Sequence, residues 1–212
     1  MKKKFVLSNS LLCRLLSCSL FALTLTSCAC TDNRKPEVKH GNENQDKSAD
    51  VAQVVTLESP KRVIRKAVAK ITPYQDHQVS GIVTFTKVSS GIKIIADVQG
   101  LPPGKHGFHV HEHGDCSGTD GMKAGGHFNP TNHKHGGPDS PERHVGDFGN
   151  LEADEKGRAY YERIDTLISF EGPNSILERS IIIHADPDDF VTQPTGNSGA
   201  RIACAKIKAV KK

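Results

Sequence analysis

The chain has 212 residues, of which 36% are hydrophobic and 25% charged, with a formal net charge of +4. The positive excess sits at the start: residues 62–212 carry 19 Lys or Arg against 18 Asp or Glu, whereas residues 1–61 carry 9 against 6. A nucleic-acid-binding reading needs a basic folded part, and this balance excludes it.

The first 61 residues do not read as part of a packed core. Lys2-Lys3-Lys4 precede the apolar Leu15–Leu25, and small residues follow just before Cys28, the order of a secretion signal. Leu15–Thr26 is too short for a membrane-spanning helix, which needs roughly 20 apolar residues. Its end, Leu25-Thr26-Ser27-Cys28, resembles a bacterial lipobox, which implies a diacylglyceryl group on Cys28. Leu15-Leu16-Ser17-Cys18 fits the same loose pattern, but Arg14 interrupts the apolar run that would have to precede it. Ala29–Lys61 is rich in polar and charged residues and cannot bury enough surface to offset its ordering entropy. Residues 1–27 therefore read as a lipoprotein signal peptide, 28–61 as the lipidated Cys and a flexible tether, and 62–212 as one domain of ordinary size. The expected location is the periplasm, with a lipid anchor in a bacterial membrane; Ala29 after the anchor favours the outer one.

Within the domain, residues 62–71, 78–86, 92–98 and 105–112 are rich in Val, Ile and Thr with partial period-2 alternation and predict strands. Residues 159–164, 180–184 and 201–210 predict further strands, and turn sequences such as Leu101-Pro102-Pro103-Gly104 and Glu171-Gly172-Pro173 separate these segments. No convincing helical periodicity interrupts the series, so the expected fold is an all-β sandwich or barrel. Two irregular segments stand out as long functional loops, residues 114–145 and 185–200. Cys116 and Cys204 are the only cysteines of the domain, and in an oxidising exported compartment such a pair suggests a disulfide.

Seven of the 11 histidines lie between His109 and His144. On a strand, His109 and His111 project to one face and can hold one metal without distorting the backbone. His127, His135, His144 and Asp147 follow, and His184 ends the apolar run Ile181-Ile182-Ile183. Imidazole suits copper and zinc, and a copper(II) site of four nitrogens needs two histidines beyond the strand pair. A loose His-rich metal scavenger would not explain an ordered strand pair, an Asp three residues after His144 and a distant His at a strand end.

These residues reach a family. Gly107-Phe108-His109-Val110-His111-Glu112, Gly126-His127-Phe128-Asn129-Pro130, His135-Gly136-Gly137-Pro138 and Arg143–Asn150 resemble the copper/zinc superoxide dismutases. Gly196–Cys204 resembles the family's second signature, and the likeness runs from about Lys66 to Val210. It implies an antiparallel Greek-key β-sandwich or flattened barrel, immunoglobulin-like, with copper on His109, His111, His127 and His184. Zinc is implied on His127, His135, His144 and Asp147, so that His127 bridges both metals. Arg201 matches the anion-binding arginine beside the copper, and Asp188 the carboxylate that links a copper ligand to a zinc ligand. Cys116 and Cys204 match the intradomain disulfide. Superoxide is the implied substrate, dismuted to dioxygen and hydrogen peroxide by a cycling copper, with His127 and Arg201 as catalytic residues. The membrane is met only through the N-terminal lipid, and the family's mixture of monomers and dimers allows a homodimer. His106, His113 and His133 match no ligand position and are read as solvent-facing. The competing function is a periplasmic copper or zinc carrier on the same scaffold, which would be expected to lack a copper ligand or the arginine.

Overall fold

The computed structural model describes residues 63–211; the signal peptide, Cys28 and nearly all of the tether lie outside these residues. Among the described residues nine strands form: β1 Lys66–Pro73, β2 Ser80–Val88, β3 Gly91–Gln99, β4 Gly104–His111, β5 Asp147–Ala153, β6 Arg158–Asp165, β7 Ser180–His184, β8 Arg201–Lys206 and β9 Lys208–Ala209. All strand pairings are antiparallel, in the order β5-β4-β7-β8-β1-β2-β3-β6, with β9 added to β1. Strands β4 and β7 each pair with elements remote in sequence, which is the Greek-key crossing expected from the sequence. The path is not joined by backbone pairing between β5 and β6, so the barrel is flattened and open along that seam.

Alternation explains how the core fills. On β3, Ile92, Ile94, Ala96 and Val98 are buried and pack against Val83 and Phe85 of β2 and Ala67 and Ala69 of β1. From the other half come Phe108 and Val110 of β4, Phe148 and Leu151 of β5, Ile181 and Ile183 of β7 and Ile202 of β8. Phe108 and Phe148 meet with ring centroids 5.7 Å apart. Each large apolar side chain withdrawn from water contributes about 1.5–3 kcal/mol.

Strands β4 and β7 are buried on both faces. Ile182 points away from the barrel, toward a second cluster with Tyr74, Ala124 and Cys204. The loop of residues 112–146 thus covers the outer face of β4 and β7, and its only regular element is a single 3₁₀ turn, Met122–Ala124. Strand β5 was not expected from the sequence. Gly149 and Asn150 interrupt its apolar pattern, and it exists because it pairs with β4 from Gly104↔Ala153 to His109↔Asp147.

Candidate metal centre

The pleat of β4 does what the sequence predicts. Phe108 and Val110 enter the core, and His109 and His111 emerge on the opposite face, where loop cover leaves them fully buried. Strand β7 runs antiparallel beside β4, with Phe108 opposite Ile183, so His184 arrives next to His109 at 5.1 Å between ring centroids. The β4–β5 register shifts between Gly107 and His109, and the β7–β8 register shifts between Ile183 and His184. Such irregularities re-aim side chains, and both lie at histidines of the candidate ligand set.

His127 reaches the same point from the loop. It forms an isolated bridge with His111, and the next residue, Phe128, anchors it through Phe128 N–H to Val110 O at 2.8 Å. The ligand atoms of His109, His111, His127 and His184 all lie within 4.8 Å of one another, and those of His127, His135, His144 and Asp147 form a second such group. His127 belongs to both.

Hydrogen bonds decide which nitrogen of each ring is free. His109 uses Nε2 on Asp188 Oδ2 at 2.8 Å, leaving Nδ1 buried without a partner. His111 uses Nδ1 on Gly125 O at 2.9 Å, and His184 uses Nδ1 on Gly199 O at 3.3 Å. Their Nε2 atoms face each other at 3.3 Å. His127 has Nδ1 against Asp147 Oδ1 at 2.9 Å, while Nε2 is buried and unpaired on the side of the first group. In the second group Nδ1 of His135 and of His144 approach Asp147 at 3.1 and 3.3 Å without making hydrogen bonds. Orphaned buried nitrogens are rare and need a reason. Here two of them, His109 Nδ1 and His127 Nε2, belong to a set of four imidazoles, and two, His135 Nδ1 and His144 Nδ1, to a set of three imidazoles with a carboxylate. The first donor set suits copper and the second suits a closed zinc site.

The electrostatics differ between the groups. Burial, the charge of neighbouring histidines and, for His111 and His184, the nearby Arg201 hold His109 and His111 well below the ordinary imidazole range and bring His184 down to about 4. These rings are neutral at pH 7, with lone pairs ready for a metal. His135 goes the other way. Burial opposes its charge, but Asp147 and Asp188 outweigh burial and raise it to about 9. Asp147 is itself held far below the usual carboxylate range, because contact with His127, His135 and His144 overturns the penalty of burial.

Other predicted residues surround the two groups. Asp188 is buried and joins the groups, accepting from His109 Nε2 and from His135 Nε2 at 2.9 Å. Gly196 is required beside it: with φ +65, any Cβ there would collide with the Asp188 carboxylate and lie 2.6 Å from His135 Nε2. Arg201 is half-buried, and its guanidinium donates to Gly121 O at 2.5 Å and Gly125 O at 2.6 Å. The disulfide Cys116–Cys204 spans 88 residues with 5.7 Å between Cα atoms and ties the loop bearing those carbonyls to β8.

One expectation fails. His113 and His133 are exposed as anticipated, but His106 is 2% exposed, with Nδ1 2.9 Å from His184 O and Nε2 2.8 Å from Pro102 O. It stands beside the main chain of His184 from β4, and no local sequence pattern marks this role. Two other residues went unread. Arg143 is buried, pairs with Asp165 at 2.5 Å and donates to the carbonyls of His144 and Asp147, both at 3.1 Å. Asn150 brackets Asp188 by accepting from its N–H at 2.7 Å and donating to its C=O at 2.9 Å.

A Greek-key β-barrel whose one face carries two histidine-rich ligand groups sharing a single imidazole defines a dinuclear metalloprotein. Comparison with known proteins narrows this class. Residues 79–207 match the family model of copper/zinc superoxide dismutase. A Cu-Zn superoxide dismutase of Paramecium bursaria Chlorella virus 1 is 50% identical over 137 residues, which are 61% of this chain and 72% of the viral protein. One from Onchocerca volvulus is 46% identical over 141 residues, 61% of this chain and 88% of its own. An extracellular Cu-Zn superoxide dismutase of Caenorhabditis elegans is 39% identical over 172 residues, 76% of each chain. The solved structure of the clock protein EA4 superposes with a TM-score of 0.67 at 36% identity, covering 73% of this chain and all of that one. The chain belongs to the copper/zinc superoxide dismutases, enzymes that convert superoxide to dioxygen and hydrogen peroxide with copper and zinc.

Proposed function

We propose that His109 Nδ1 and the Nε2 atoms of His111, His127 and His184 hold the copper, and that Nδ1 of His127, His135 and His144 with Asp147 hold the zinc. The observation that carries this reading is the convergence of the eight donor atoms in two buried groups, with His109 Nδ1, His127 Nε2, His135 Nδ1 and His144 Nδ1 lacking any protein partner. Copper, when bound, supplies one-electron redox chemistry, and zinc a fixed charge without redox activity.

The chain's own groups supply the rest. His127 Nδ1 is committed to the side of Asp147, so any proton that this ring carries during turnover sits at Nε2, facing the copper group. Histidine is suited to such a shuttle, and protons are required because hydrogen peroxide is a product. Arg201 is held by two carbonyls and needs no reorganisation to place a fixed positive charge beside His111 and His184. A preorganised cation favours a small anion at that point. Asp188 fixes the rings of His109 and His135 together, the outer-shell role that orients metal-bound imidazoles.

Cys28 carries the lipid in this reading, and the domain works in the periplasm at the end of its tether. The signal-like N-terminus and the disulfide of the domain both support export. A metal carrier on this scaffold would have no use for Arg201 beside a complete ligand set. The test is Arg201→Ala: superoxide turnover should fall about tenfold or more with both metals bound at full stoichiometry. Unchanged turnover would remove Arg201 from the mechanism, and a wild-type chain that holds both metals without turnover would establish the carrier. Labelling with radioactive palmitate, abolished by Cys28→Ser, tests the anchor.

A further inference from the structure

His135 stands where the chain offers its backbone no regular partner, since residues 128–146 form neither helix nor strand. The other residues of the second ligand group are held locally. His127 lies in a bridge with His111, His144 N–H donates to Asp147 Oδ2 at 2.9 Å, and Asp147 starts β5. Gly136 N–H, next in the chain after His135, donates to Asp147 Oδ2 at 3.2 Å, but the two main-chain groups of His135 itself depend on a segment more than fifty residues away. Its N–H donates to Gln193 Oε1 at 2.8 Å, and its C=O accepts from Gln193 Nε2 at 2.9 Å. One side-chain amide thus satisfies both main-chain groups, as a neighbouring strand would.

The arm that carries this amide is itself fixed. Asp189 Oδ1 accepts from the N–H groups of Val191 and Thr192 at 3.0 and 2.8 Å, and Thr192 O accepts from Gly196 N–H at 2.7 Å. Five residues before Gln193, Asp188 accepts from His135 Nε2. The segment between β7 and β8 therefore grips His135 twice: Asp188 sets the rotation of the ring, and Gln193 sets the position of its backbone. Asn150 repeats the device one step away by bracketing the main chain of Asp188.

We infer that Gln193 is a positioning residue for the zinc site, fixing the backbone of His135 so that Nδ1 meets the other three donors; this rests on the zinc set proposed above. The residue does not touch the metal. Its loss should leave the donors present but loosen one of four, at the low end of the 10- to 100-fold loss seen for outer partners of metal ligands.

The full chain loaded with copper and zinc is compared with Gln193→Ala, Gln193→Glu and His135→Ala. Zinc release to a colorimetric chelator is followed by stopped-flow, and cobalt(II) placed in the zinc site reports ligand geometry through its visible bands. Release from Gln193→Ala should be about tenfold faster than wild type, with cobalt bands altered and the thermal midpoint of the metal-free protein unchanged. Gln193→Glu keeps the acceptor for His135 N–H but loses the donor, so its release rate should fall in between. A Gln193→Ala rate within twofold of wild type, while His135→Ala fails to hold zinc, overturns the inference alone. A metal-free midpoint lowered in Gln193→Ala with unaltered cobalt bands also overturns it, because Gln193 would then serve the fold only. If His135→Ala holds zinc as wild type does, the zinc set falls and this inference falls with it.

Discussion

The two ligand groups are built in opposite ways. His109, His111 and His184 stand on strands β4 and β7, where the pleat and the pairing of neighbouring strands aim the side chains. His135 and His144 stand on an irregular loop and are aimed by polar contacts from Asp188, Gln193, Arg143 and Asp147. The strand-borne rings are buried among other imidazoles and stay neutral. The loop-borne His135 sits between two carboxylates and, without metal, keeps its proton at neutral pH. Regular structure thus aims the first group through the pleat, whereas the loop aims the second through hydrogen bonds and carboxylate charge. In the zinc set proposed above, the metal would take the place of a proton on His135, which would link its affinity to pH.

The largest expected effect comes from cutting the covalent link between the loop of residues 112–146 and strand β8. Cys116→Ser with Cys204→Ser removes a closure over 88 residues, which corresponds to about 4–5 kcal/mol in the loop-entropy model. The thermal midpoint should fall by roughly 8–20 °C. Hydrogen exchange should rise first in residues 112–126, with β4 and β7 protected longest. Exchange rising equally in β4 and β7 would show that the strand-borne group is no more autonomous than the loop.

A second test uses pH on the metal-free protein. His184 falls to about 4 from an unfolded value near 6.5, so its contribution is fully present above pH 6.5 and is lost as pH falls toward 4. The loss amounts to up to about 3 kcal/mol, and His109 and His111 act in the same direction. His135 has the reverse sign: its contribution is fully present below pH 6.5 and is lost as pH rises through about 9. Histidine ¹³C NMR titration with denaturant unfolding at each pH should place His184 and His135 on opposite sides of neutrality. A smaller effect comes from His106→Phe, which removes the ring N–H that donates to a main-chain carbonyl, worth about 1 kcal/mol. Copper should dissociate several-fold faster while zinc release is unchanged.

What the sequence revealed follows the same division. The strand pair His109-Val110-His111 and the apolar run into His184 are legible because period-2 alternation and burial are local signals. The loop ligands are legible only through the order of motifs shared with a family. Asn150, Gln193 and Arg143 act through contacts made across the fold, so no local pattern marks them. His106 was misread because solvent exposure was assumed for a histidine without a ligand motif, yet on the doubly covered β4 no residue from His106 onward reaches water. Strand β5 was missed because its pairing with β4 overrides the weak strand propensity of Gly149 and Asn150.

The central claim is that one imidazole joins two separately assembled metal sites, and metal partition in two variants tests it most directly. Full-length His184→Ala and His144→Ala are loaded with copper and zinc, analysed for metal content and assayed for superoxide dismutation. His184→Ala should keep zinc, bind copper weakly and lose turnover, and His144→Ala should keep copper and lose zinc. Loss of copper alone from His144→Ala, or full turnover in His184→Ala, would contradict the claim.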